Sequence, residues 1–102
     1  MAKNYKPQKP LLTEDEVRDA LYLDHDYTSK RLKELSEEAT QFLFQKTGHD
    51  WSQDNPVNNV AKGAARDYIH QLWYGGDSHV QARLDDRIDT LSAMVDKDGN
   101  LL

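Results

Sequence analysis

Cysteine is absent from the 102 residues, which excludes disulfides and thiol catalysis and leaves the redox compartment undetermined. Long apolar runs are missing too, and none approaches the about 20 residues of a membrane span. The first residues offer Lys3, Lys6, Lys9, Pro7 and Pro10 but no hydrophobic signal-peptide core. The chain is therefore expected to be made and used in a cytoplasm, with no membrane partner. No alternating pattern is long enough to propose a strand, and no internal repeat or low-complexity segment occurs. A basic face of the kind that tracks phosphates is lacking in the folded part, which argues against specific nucleic-acid binding.

What is present is polar and acidic. Hydrophobic residues make up 37% and charged residues 30%, with a net charge of −5. That balance is polar for a globular domain without being disordered. It suits a helical protein whose burial is completed by copies of itself or a partner, and equally a small helical monomer. Residues 1–12 carry three lysines and no acid, whereas Thr13 to Tyr27 carry six acids against Arg18 alone. The lysines can touch an anionic surface or form a solvated tail.

Hydropathy periodicity predicts an all-α fold, a small bundle of about four helices with a long helical hairpin and a mobile N-terminal tail. Residues 1–12 are the expected tail, 13–76 the helical core domain, and 77–102 a C-terminal helix and tail. Thr13 and Glu16 form a capping box, with Leu12 and Val17 placed as a hydrophobic staple. The first helix is expected from about Glu14 to Tyr22. Asp26 or Thr28 is expected to cap a second helix, from about Ser29 to Lys46, ending at Thr47-Gly48. Its stripe is Leu32, Leu35, Ala39, Phe42 and Leu43, with Lys30–Glu34 and Lys33–Glu37 pairs opposite. Phe44 falls off the stripe and can face the Trp51 loop or another subunit.

Asn55-Pro56 reads as the cap and first turn of a third helix running to Tyr74. Its stripe runs from Val57 and Val60 through Ala61, Ala64, Ala65, Tyr68 and Ile69 to Leu72 and Trp73. The small residues at its middle make it the expected centre of the core. Gly75-Gly76 ends it. A fourth helix from Asp77 or Ser78 carries Val80, Leu84, Ile88, Leu91 and Met94 or Val95 as a narrow seam. Residues 96–100 then form a turn.

The order Leu12-Thr13-Glu14-Asp15-Glu16-Val17, Leu21-Tyr22-Leu23-Asp24-His25-Asp26 and a helix closing on Thr47-Gly48 resembles the start of the head–tail connector (adaptor, or head-completion) proteins of tailed bacteriophages. The likeness spans roughly residues 11 to 75. Leu72-Trp73-Tyr74-Gly75-Gly76 departs from it, because such sequences usually run on with charged residues there. The resemblance implies a structural virion protein at the head–tail interface, assembled in the bacterial host cytoplasm. It implies a ring of copies, dodecameric on the portal protein, that extends the DNA channel. Such a ring gives a stopper or tail-completion protein its docking surface, and DNA passes through it without specific binding. The channel-facing surface is then expected to be acidic or neutral. The rival reading is a small cytoplasmic interaction module, regulatory or antitoxin-like.

Several residue groups bear on possible chemistry. His25-Asp26 and His49-Asp50 suggest a metal-dependent phosphohydrolase only if further ligands converge. His70 beside a helix stripe and His79 in a loop do not read as such ligands. Asp96-Lys97-Asp98-Gly99 echoes a calcium loop, but its glycine comes too early for the twelve-residue register. No phosphate-cradling glycine loop or nucleophile elbow occurs. The chain is read as a non-enzyme without catalytic, cofactor or metal residues. Trp51, Trp73 and Tyr74 are candidate anchors, Trp73 fitting the core stripe. The candidate portal or subunit interface is Val80, Leu84, Arg87, Ile88, Leu91 and Met94, with Trp51.

Overall fold

The computed structural model describes residues 9–102, so most of the expected tail lies outside the described residues. It is an all-α bundle: α1 (Glu14–Leu21), α2 (Lys30–Thr47), α3 (Asn59–Tyr74) and α4 (Ser78–Ser92), with a 3-10 turn at Trp51–Gln53. No strand occurs among the described residues, only one antiparallel bridge between Val95 and Leu101.

The expected tail ends two residues early. Leu11 and Leu12 are buried in the core, and their backbone N–H groups donate to Thr40 Oγ1 at 2.8 Å and Ser36 Oγ at 3.0 Å. The segment before α1 thereby satisfies its donors on hydroxyls of α2 while burying two leucines. Each such side chain contributes roughly 1.5–3 kcal/mol relative to exposure. The capping box follows at once. Thr13 Oγ1 accepts from Glu16 N–H at 3.1 Å, and Glu16 Oε1 accepts from Thr13 N–H at 2.9 Å. Leu12 and Val17 on either side of it share the core.

Ser29, not Asp26 or Thr28, caps α2, accepting from Arg31 N–H at 3.1 Å. Ser29 is the residue still in extended conformation when the helix begins. The expected Lys30–Glu34 and Lys33–Glu37 pairs give way to Arg31, which reaches Glu38 at 3.0 Å and Glu34 at 3.6 Å. Phe44 is buried within the chain. α2 ends on Gly48 at φ 80°.

The start of α3 also differs from expectation. Asn55-Pro56 is a cis peptide outside the helix, and Asn58 is the cap, accepting from Val60 and Ala61 N–H at 2.7 and 3.1 Å. α3 is nevertheless the centre of the bundle and packs against all three other helices. Ala61, Gly63, Ala64 and Ala65 are buried along it, and small side chains let neighbours approach closely. Trp73 is half-buried against the core, and Leu72, expected in the stripe, is exposed. Asp77 caps α4, and the two N–H groups it accepts, of Val80 and His79, hold its carboxyl below the usual range.

The C-terminal turn closes against the end of α2. Asp96 Oδ1 accepts from the N–H groups of Asp98 and Asn100. Gly99, at φ 82°, lies so close to Gly48 that a Cβ there would stand 1.9 Å from the Gly48 carbonyl oxygen. His49 completes the clasp, its Nδ1 2.8 Å from Gly99 O and its Nε2 2.9 Å from Asp54 Oδ2. Both ring nitrogens thus face oxygen atoms of neighbouring segments.

Candidate functional site

The seam expected to dock outward turns inward. Val80, Leu84 and Leu91 are buried in the same core as α1 to α3, with Ile88 and Met94 half-buried against it. α4 is therefore an integral wall of the bundle. The seam residues Val80, Leu84 and Leu91 are thus not free on this chain to meet a portal or a neighbouring subunit.

Arg87, another candidate, is also committed internally. It donates to Asp67 Oδ2 and, at 3.2 Å, to Gly63 O. Arg83 Nη2 donates to the other oxygen of Asp67 at 2.9 Å, and Asp67 is only 4% exposed. The buried carboxylate is compensated by the two guanidiniums that pair with it. The same carboxylate raises the Arg83 pKa. Trp51 is 1% exposed, and its Nε1–H donates to Thr47 Oγ1 at 2.9 Å. It plugs the end of the bundle and does not face a neighbour.

What the fold does present lies at the far end of α1. The helix closes in a Schellman motif, with Leu23 N–H donating to Arg18 O at 3.0 Å and Tyr22 N–H to Asp19 O at 3.3 Å. The residue at the left-handed position of that motif is ordinarily glycine. Here it is Tyr22, at φ 59° and ψ 37°, the one non-glycine residue with positive φ among those described. Its side chain is 83% exposed.

Two residues from the end of α3 join it. The His70 ring meets Tyr22 edge-on, centroids 6.4 Å apart, and lies 4.8 Å from the Tyr74 ring. The Tyr74 hydroxyl donates to Leu21 O, fixing α3 to the last carbonyls of α1. His70 Nδ1 is buried without a hydrogen-bond partner. Asp19, Arg66 and Asp67 complete a recess of about 270 Å³ beside these rings.

The corner behind Tyr22 is rigidly tied. Arg18, largely buried, donates through Nε to Tyr27 O at 2.6 Å and through Nη1 to Asp15 Oδ1 at 2.6 Å. Asp24, His25 and Asp26 point to solvent. Below the corner, Glu16 Oε2 accepts from Lys62 Nζ at 2.7 Å and lies 3.7 Å from Arg66 Nη2. Burial pushes the Glu16 carboxyl up, but Lys62 and the Thr13 N–H together outweigh it and hold the pKa below its ordinary value.

Of the anchors read from sequence, only Tyr74 lies at this corner. Tyr22 was missed. The available signal was a helix stop at Leu21-Tyr22-Leu23 with neither glycine nor asparagine, which obliges another residue to turn left-handed. Among the described residues, no group of three or more metal-ligating side chains is drawn together. Against family models, curated proteins and solved structures alike, the chain finds no match.

Proposed function

We propose that the chain is a docking component of a phage head–tail connector, an adaptor that binds the portal through the Tyr22 corner. The observation that carries this reading is the conformation of Tyr22. A left-handed tyrosine costs roughly 1 kcal/mol or more relative to glycine. Its ring is almost wholly in solvent, so the isolated chain recovers little of that cost. Strain of this kind is characteristic of sites held ready for a ligand, and tyrosine is among the residues that dominate interface energetics. The corner belongs to the segment, residues 11 to 75, that carries the connector resemblance. A portal ring would meet a copy of it on every bound subunit.

The substitution Tyr22→Gly tests the idea because its two effects have opposite signs. It should raise stability by about 1 kcal/mol while weakening binding to the portal protein encoded in the same genome at least tenfold. Unchanged portal binding, or a genome without a portal gene, overturns the adaptor reading. A chain that stays monomeric and ignores the portal favours the rival, a cytoplasmic regulatory or antitoxin-like module.

A further inference from the structure

On the other side of the bundle an open groove of about 350 Å³ runs between α2, α3 and α4. Phe42 and Tyr68 line it, their rings stacked 4.2 Å apart and 14° from parallel. Ile88, Asp85 and Asp89 line it from α4, and Lys46 borders it with Nζ 5.6 Å from the Phe42 centroid. Asp85 accepts a neutral hydrogen bond from Gln81. Neither aspartate is in an ion pair among the described residues. Tyr68 has its pKa raised, by burial first and then by the charge of Glu38, a further acid on this side.

An aromatic groove with unpaired acids suits an extended basic segment, especially one spaced by proline. The chain itself contains one. Residues 1–9 hold Lys3, Lys6, Lys9, Tyr5 and Pro7 and no acid, so the remainder carries the whole acidic excess.

We propose that the groove receives residues 1–9 of a second copy, with lysines against Asp85 and Asp89 and Tyr5 or Pro7 on the Phe42–Tyr68 pair. A chain's own arm is poorly placed for this. Leu11 and Leu12 are held on Thr40 and Ser36, whereas Phe42, two residues beyond Thr40, lies about 200° around α2. Passing over the solvent face of a helix about 10–12 Å across uses five or six extended residues, at about 3.3 Å each. Little more than Lys3 would remain for the groove. An arm from a neighbour delivers all three lysines. The contact joins unlike surfaces, so it is heterologous and can close a ring. It stands apart from the portal reading, because neither the groove nor its test involves the Tyr22 corner.

Analytical ultracentrifugation of the full chain decides it. Wild type should self-associate, more weakly as salt rises. Lys3→Glu/Lys6→Glu/Lys9→Glu should weaken the association at least tenfold, as should Asp85→Lys/Asp89→Lys. All these positions outside residues 1–8 are exposed, and circular dichroism melts would verify that the fold is kept. One chain carrying all five reversals should associate again. A wild type that is monomeric at its highest soluble concentration overturns the proposal, as does association indifferent to either reversal or not recovered in the combined variant. A labelled peptide of residues 1–10 that binds a chain remaining monomeric assigns the groove to the chain's own arm, and also overturns it.

Discussion

The guanidinium of Arg87 occupies the space where a side chain at position 63 would begin. A Cβ on Gly63 would stand 2.9 Å from Arg87 Cζ and Nε. The glycine sits inside α3, where it costs roughly 0.5–1 kcal/mol relative to alanine. Arg87 uses the gap to reach both Gly63 O and Asp67.

Gly63→Ala should therefore be close to neutral, within about 1 kcal/mol, because the helix-propensity gain offsets a displaced guanidinium while Arg83 still holds Asp67. In an Arg87→Ala background the same change should stabilise by about 0.5–1 kcal/mol. Urea melts of the four variants measure this coupling directly. Additive effects would mean that Arg87 does not need the glycine.

The inward seam of α4 predicts core behaviour. Leu84→Ala and Leu91→Ala, at positions buried against α3, should each cost about 2–5 kcal/mol. A chain truncated before Val80 should lose its cooperative thermal transition. A truncated chain that melts sharply would restore α4 to the role of an outlying arm.

Glu16 gives the acid limb of stability its sign. A carboxyl whose folded pKa lies below its unfolded value adds stability above that value and loses it as pH falls through the folded one. The stability of wild type should thus decline as pH drops below the ordinary 4.5. Glu16→Gln keeps a residue able to complete the capping box and removes the charge facing Lys62. It should flatten that limb and cost under about 1 kcal/mol at neutral pH, the pair being partly exposed. Chemical denaturation at a series of pH values reads both effects.

Gly99 and Gly75 both have positive φ, but only Gly99 is crowded. Gly99→Ala should cost at least about 2 kcal/mol, since left-handed strain adds to a collision with the Gly48 carbonyl. At Gly75, where nothing lies within 4 Å of the added Cβ, alanine should carry strain alone, about 1–3 kcal/mol, and leave the C-terminal turn in place. Amide exchange at Asn100 and Leu102 separates the two cases, with only Gly99→Ala releasing those protons.

Helix number, order and most boundaries were legible because each helix carries local signals: the Thr13–Glu16 box, the Gly48 and Gly75 stops, and the apolar stripes. The misplaced α3 start came from two asparagines three residues apart. Either can cap in principle, and tertiary packing chose Asn58. The seam of α4 looked too narrow to be core because periodicity counts apolar residues only. Arg83 and Arg87 flank the seam and complete the α3 interface through Asp67, a polar contribution that no hydropathy pattern registers. The Tyr22 corner was hidden for a related reason. Its members, Tyr22, His70 and Tyr74, come together only when α1 and α3 cross.

The docking of Leu11 and Leu12 on α2 also sets an order of events during synthesis. The two leucines leave the ribosome before the hydroxyls of Ser36 and Thr40 that receive their backbone, and wait uncovered until α2 has cleared the exit tunnel. The alanine face of α3 waits in turn for Leu84 and Leu91. The bundle closes from both ends onto its middle, so apolar surface stays open to chaperones until the last helix is free to pack.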